Sequence, residues 1–180
     1  MGKTIDLSSV PFFSDISPER VAQLEGFSMI QQYDEGEVVF ENSETARNLY
    51  ALMDGEVELS ILFKDKIVTK DIKYEEYIRT HVESLEKPVV IDRIQEKDVF
   101  GWSALVPPGK MTATARCATG CSIVLIPSGE LMNAFNKDPE LGYLLTSRIS
   151  SIIVQRLNSR TQKLVDAWCA LFEAERISAV

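Results

Sequence analysis

The stretch Val99-Phe100-Gly101-Trp102-Ser103-Ala104-Leu105-Val106-Pro107-Pro108-Gly109-Lys110-Met111-Thr112-Ala113-Thr114-Ala115-Arg116 decides the fold. It reads as a strand end, a glycine turn, one short helical turn, a proline-braked loop and a strand that returns on small residues. A strand that breaks at a glycine into a brief helix leaves several backbone N–H groups unpaired and aimed one way. Here they are those of Gly101, Ser103 and Ala104, and such a cradle suits an anion, most often phosphate. The same residues also suit an ordinary turn-helix connection that binds nothing.

Upstream, the chain is a series of short strands. Phe27–Tyr33 alternates apolar and polar residues and stops at Asp34-Glu35-Gly36, after which Glu37–Phe40 resumes. Asn48–Met53 and Glu56–Leu62 flank Asp54-Gly55, which predicts a hairpin. Glycine-punctuated strands without long helices between them point to a barrel or roll rather than a parallel sheet. Before them, Ser17-Pro18-Glu19 predicts a helix over Pro18–Glu25, capped by Ser17, with Phe12, Phe13, Val21 and Leu24 as core residues. Between about Lys64 and Lys87, Lys64-Asp65-Lys66 reads as a hairpin tip. Tyr74, Tyr77, Ile78, Val82 and Leu85 have helical spacing, so a helical insertion at about 70–87 is expected before the strand Val89–Ile94. It packs on the roll, covers the pocket or meets a partner.

Downstream, Thr112–Cys117 and Ser122–Ile126 predict a closing hairpin, and Ser128 caps a helix over Glu130–Asn136. Asp138-Pro139-Glu140 starts a second helix, with Asp138 as cap and nothing but Gly142 to interrupt it as far as Arg176. Ile153, Leu157, Leu164, Ala167 and Leu171 keep a heptad-like seam broken by Arg160, widened by Leu145, Ile149, Ile152 and Trp168. A helix of about 30 residues, about 45 Å long, outreaches one small roll. Its distal half needs a partner, most simply a second copy in parallel; folding back on its own domain is the other option.

The totals set the class. A chain of 180 residues with 45% hydrophobic and 26% charged residues makes a single domain with an appended element. The net charge of −8 argues against nucleic-acid or membrane binding by bulk charge. No apolar run reaches a membrane-spanning length and no signal-peptide core follows Met1, so a cytoplasmic location is expected; Gly2 after Met1 gives only a faint myristoylation pattern. Cys117, Cys121 and Cys169 are an odd set that reads as reduced thiols, although Cys117 and Cys121 flank a turn and could pair. His81 is the single histidine, which leaves no metal or haem spacing and reads as a surface residue. No nucleophile elbow or Walker loop is present, so the chain reads as a non-enzyme.

Phe100-Gly101, Ala104-Leu105 and Ala113-Thr114 resemble the phosphate-binding cassette of cyclic-nucleotide-binding domains, the module of catabolite-activator-type (CRP/FNR) regulators, cyclic-nucleotide-dependent kinases and gated channels. Gly36, Gly55 and the opening Pro11-Phe12-Phe13 segment fit the same family, whereas Ser43 stands where it usually has another turn glycine. The resemblance implies a mainly β fold, an antiparallel jelly roll with flanking helices over residues 1–136, followed by a long C-terminal dimerisation helix over 137–180. It places the candidate ligand pocket at Gly101, Trp102, Ser103, Ala104, Lys110, Met111, Thr112 and Ala113. The implied dimer residues are Ile149, Ile153, Leu157, Leu164, Trp168 and Leu171.

Two positions depart from the family. Trp102 stands at the glutamate that holds the ribose 2′-hydroxyl, and Met111 at the arginine that pairs with the cyclic phosphate. An arginine fork makes two charge-assisted bonds and methionine offers only dispersion, so the loss costs on the order of 2–5 kcal/mol. Lys110 supplies a point charge only if the loop slips by one, because neighbours on a strand face opposite sides. Thr112 follows the arginine position, where cGMP-binding members carry threonine. Trp102 fills the ribose site, stacks on a flat ligand or is simply core.

The expectation is a stand-alone, homodimeric regulatory or sensor module. Its ligand is altered or lost, with no resident cofactor beyond a cyclic nucleotide or another small anion. The alternative is a ligand-free scaffold that recruits a protein partner. A third option, a truncated transcription regulator, lacks a helix-turn-helix before Val180.

Overall fold

The computed structural model describes residues 5–72 and 78–178. Two 3₁₀ turns at Leu7–Ser9 and Pro11–Phe13 lead into helix α1, Pro18–Phe27. Proline at its first position fixes φ where no N–H is needed. Ser17 takes the N-cap position without a side-chain bond, so its expected capping role is not realised.

Eight antiparallel strands follow: β1 Met29–Tyr33, β2 Val38–Phe40, β3 Asn48–Asp54, β4 Val57–Ile72, β5 Ile78–Ile94, β6 Val99–Phe100, β7 Thr114–Cys117 and β8 Cys121–Pro127. They form two four-stranded sheets, one ordered β1-β8-β3-β6 and the other β2-β7-β4-β5. The jelly roll expected from the sequence is therefore present. Helix α2, Ser128–Lys137, and helix α3, Pro139–Ser178, complete the chain.

Alternation along β3 shows where the core sits. Leu49 and Ala51 join a cluster under the helices, while Tyr50 and Leu52 face the cluster between the sheets. β8 divides the same way, with Val124 and Ile126 toward the helices and Ile123 and Leu125 between the sheets. Both faces of these strands are covered, which is why Cys121–Ile126 is buried throughout.

Four local expectations are corrected. Asp54-Gly55 does not close a hairpin, because β3 and β4 lie in different sheets. Gly55 instead turns a corner at φ +97°, where an added Cβ would stand 2.5 Å from the Gly120 carbonyl oxygen. β7 and β8 likewise belong to opposite sheets, so the expected closing hairpin is a crossover. Ser128 is the first residue of α2 rather than its cap, and its amide donates to the Arg47 carbonyl.

The fourth correction concerns the helical insertion at about 70–87. β5 is continuous from Ile78 and pairs with β4 from Val57↔Ile94 to Ile72↔Ile78, so the insertion is an extension of a β-ribbon. Lys64-Asp65-Lys66 lies within β4 and is no tip. The β-branched residues Ile67, Val68, Thr69, Ile78, Thr80 and Val82 favour this extended pairing over the helical spacing. Tyr74 and Tyr77 fall outside the described residues, as do Gly2 and the side chain of His81.

α3 starts as the sequence predicts: Asp138 Oδ1 accepts from the Leu141 amide at 3.1 Å. Its 40 residues exceed the expected 30 and span about 60 Å. Leu141, Leu145 and Ile149 bury the first turns in the core, and Arg148 donates to the Phe12 and Ser14 carbonyls.

Candidate functional site

The cassette begins where β6 ends. Gly101 adopts φ +77° and leads into a 3₁₀ turn over Trp102–Leu105. An added Cβ there would meet Tyr50 Cδ2 at 2.6 Å and the Asn48 carbonyl at 3.1 Å, so only glycine fits. The Ala104 amide is spent inside the turn, donating to the Gly101 carbonyl at 3.1 Å. That removes one of the three donors expected of the cradle.

The return is fixed by the loop after β2. Ser43 and Met111 are joined by an amide-to-carbonyl bond of 2.8 Å, and the Met111 amide donates to the Glu44 carbonyl at 2.9 Å. This register sends Lys110 and Met111 opposite ways. Lys110 is exposed, with Nζ donating to Thr45 Oγ1 at 3.1 Å, whereas the Met111 side chain is 3% exposed in the inter-sheet core. Ser43 adopts φ +68°, the left-handed region that favours glycine.

A cavity of about 210 Å³ opens beside the cassette. From the roll, Phe40, Leu59, Met111 and Ala113 line it, and from the cassette Gly101, Trp102, Ser103 and Thr112. Of the residues expected at the pocket, Ala104 and Lys110 do not line it. The remaining wall is α3, through Ile153, Arg156, Leu157 and Arg160. The volume of about 210 Å³ falls below the roughly 300–1,000 Å³ usual for small-molecule sites.

The two arginines are the residues that sequence reasoning misses. Arg156 lies over the Trp102 ring, 4.7 Å from its centre, and donates from Nη2 to the Val99 carbonyl at 3.1 Å. Its Nη1 stands 3.6 Å from Asp92 Oδ2, and Arg160 Nη2 stands 3.7 Å from the same oxygen. Burial pulls the Arg156 pKa below its ordinary value, partly offset by Asp92 and Asp98, with Arg160 lowering it further. The one legible signal was Arg160 itself, which interrupts the seam.

Tyr50, Phe40 and Phe100 stack behind the cassette with ring centres 5.1 to 6.0 Å apart, and burial raises the Tyr50 pKa. Burial also pushes the Cys117 thiol up to about 12, so it is not a nucleophile at neutral pH. All three cysteines are free. Among the described residues, no cluster of histidine, cysteine and carboxylate could hold a metal, and no helix is long and apolar enough to cross a membrane.

Of the expected dimer residues, Ile149 is buried against its own roll and Ile153 packs there too, so the helix spends them within the chain. Leu157, Leu164 and Trp168 are 55–61% exposed. The Leu171 side chain lies outside the described residues.

Comparison with known proteins places this geometry. A protein from Geobacter metallireducens GS-15, described as cyclic nucleotide-binding, is 22% identical with a TM-score of 0.65, over 87% of this chain and 99% of its own. A cyclic nucleotide-binding domain from Methylobacillus flagellatus KT is 15% identical with a TM-score of 0.64, over 88% and 78%. The sensor domain of the transcriptional regulator DNR from Pseudomonas aeruginosa is 18% identical with a TM-score of 0.59, over 84% and 89%. No curated protein sequence matches. At these identities the solved structures show the fold alone, and the family itself is shown by the sequence pattern of the cyclic nucleotide-binding domain, which matches residues 30–138. This chain belongs to the cyclic nucleotide-binding domain family.

Proposed function

We propose that the chain is a dimeric regulatory module whose cavity takes a small anionic ligand other than ordinary cyclic AMP. The observation that carries this reading is that α3 forms one wall of the cavity, opposite the cassette. A ligand that fills the cavity must therefore contact or move α3, and the free end of α3 is what a partner would sense. Ordinary cyclic AMP is disfavoured because Met111 and Trp102 stand where the family's phosphate-binding arginine and ribose-binding glutamate are expected.

Dimerisation rests on the distal half of α3. Val154, Leu157, Leu164, Val165, Trp168 and Phe172 are all 46–64% exposed, and burying what remains open of each is worth about half of the roughly 1.5–3 kcal/mol of a full burial. A second copy of the same helix covers these residues in register with its own. A protein-interaction scaffold is the second reading. Its support is the β4–β5 ribbon, which leaves Ile61, Phe63 and Val89 exposed on one face and Leu62 and Val90 on the other.

Calorimetry with cyclic AMP, cyclic GMP and cyclic di-GMP, run beside sedimentation, separates the two. Saturable heat at one site per chain in a dimer supports the sensor. Silence from every nucleotide leaves the scaffold.

A further inference from the structure

The charged groups along the α3 wall of the cavity lack part of their hydrogen bonding. Arg156 and Arg160 bring two permanently charged guanidinium groups to it from successive turns of α3. The carboxylate between them is Asp92 on β5, and neither approach is a hydrogen bond. Asp92 Oδ2, Arg156 Nη1 and Arg160 Nε are all buried without a hydrogen-bond partner. The other oxygen of Asp92 is engaged, accepting from the Arg93 amide at 3.0 Å. Asp98 also acts on Arg156 through space, but its Oδ2 accepts from the Gln95 amide at 3.2 Å. Unmade hydrogen bonds on buried charged groups are costly; the two arginines that carry them line the cavity, and Asp92 lies behind them, outside its lining.

We propose that Arg156 and Arg160 form the anion-binding pair of this cavity, and that a ligand oxyanion of the phosphate or phosphodiester type takes the positions Asp92 approaches but does not fill. This rests on the reading of the cavity as a ligand site and names the groups that would hold the charge. A bound phosphate oxygen sits about 2.7–2.9 Å from a guanidinium nitrogen, well inside the 3.6 and 3.7 Å to Asp92. The Trp102 ring, 4.7 Å from the Arg156 guanidinium carbon, holds that group at the cavity by a cation–π contact. The positive charge missing from the cassette at Met111 is thus supplied from the helix. Since Asp92 belongs to β5 and both arginines to α3, an incoming anion exchanges a strand-to-helix ion pair for a ligand-to-helix one. Binding then loosens α3 from the β4–β5 ribbon.

The test uses the full chain with Trp168→Phe, which leaves Trp102 as its one tryptophan. Trp102 emission and calorimetry are followed on titration with cyclic AMP, cyclic GMP, cyclic di-GMP and inorganic phosphate. At least one probe is expected to give a saturable change. Its affinity should fall about tenfold or more in Arg160→Gln and in Arg156→Lys, which keeps charge but loses the fork. Asp92→Asn should tighten binding severalfold by removing the internal competitor. A response to inorganic phosphate assigns the site to the oxyanion alone; a response to a nucleotide only assigns it to a phosphodiester with its base. Arg160 is partly exposed, so its variant remains informative if Arg156→Lys fails to fold. Binding that both arginine variants leave within about twofold overturns the pair but not the cavity. Binding that Asp92→Asn does not tighten overturns the displacement of Asp92. Silence from all four probes in the parent chain overturns the cavity reading and this inference together.

Discussion

The Arg156 guanidinium lies 4.7 Å from the centre of the Trp102 ring, a residue of the long helix stacked on a residue of the cassette turn. The pair joins the two walls of the cavity. A half-buried guanidinium over indole is worth about 0.5–2 kcal/mol. A double-mutant cycle of Trp102→Leu with Arg156→Gln, read by urea unfolding, should return a coupling of that size. Additive single effects would mean that the stacking holds nothing together.

Gly101 should be irreplaceable for a different reason. Its backbone sits at φ +77°, and the space where a side chain would start is taken by the Tyr50 ring. Positive φ for alanine and a steric clash together cost about 2–4 kcal/mol. Gly101→Ala should therefore lose that much stability in denaturant unfolding. A loss below about 1 kcal/mol would show that the Tyr50 ring gives way easily.

Ser43 offers the opposite change. It holds φ +68° without being glycine, at the place where the family resemblance expects one. A left-handed conformation costs a non-glycine residue about 1–2 kcal/mol, and glycine returns part of this as lost chain entropy. Ser43→Gly should raise stability by about 0.5–1 kcal/mol. A drop in the unfolding midpoint would show that the serine side chain compensates locally.

What could be read from the sequence, and what could not, divides by range. The cassette turn at Gly101, the capping carboxylate of Asp138 and the strand over Asn48–Met53 are local patterns, and each appears where the residues place it. Which strands share a sheet is not local. Asp54-Gly55 has hairpin chemistry, yet the tight approach of Gly55 to Gly120 makes it a corner between sheets. The ribbon beyond Ser60 reads as a helix in the sequence because Tyr74, Tyr77, Ile78, Val82 and Leu85 fit a helical period, while cross-strand pairing carries no signature in one strand alone. Beyond Arg160's break in the seam, Arg156 and Arg160 carry no sequence signal of the site, because they stand more than fifty residues past Gly101 and reach it only through the path of α3. Arg20 is legible only as a helix residue, yet it pairs with Asp138 and Glu140.

The distal half of α3 gives the dimer its own test. Leu164 and Trp168 are 55% and 59% exposed, so charging them should leave the roll intact. Leu164→Glu with Trp168→Glu places like charges along the shared seam and removes apolar area from it. Sedimentation should then show a monomer whose roll unfolds with an unchanged far-UV signature for its strands. A variant that sediments as the parent does would move the contact away from this helix.

The Arg20–Asp138 contact predicts how stability follows pH. Asp138 Oδ1 accepts from the Leu141 amide, and Arg20 holds the carboxylate with Nε at 2.7 Å and Nη2 at 3.0 Å. The Leu141 amide first, and Arg20 after it, hold the Asp138 carboxyl below its ordinary value of 3.8. A carboxyl depressed in the native state adds stability above the unfolded-state pKa, and that contribution is lost as pH falls through the lower native value. Asp138→Asn can still accept from Leu141 but cannot pair ionically with Arg20. The difference in Tm between the parent chain and this variant should be widest near neutral pH, should narrow as the pH drops under the ordinary carboxyl value of 3.8, and should close once it has fallen below the lower native value. Other carboxylates titrate in both proteins and cancel in the difference. A gap that stays constant down to that pH would show that Asp138 acts through packing and cap geometry alone, with its charge contributing nothing.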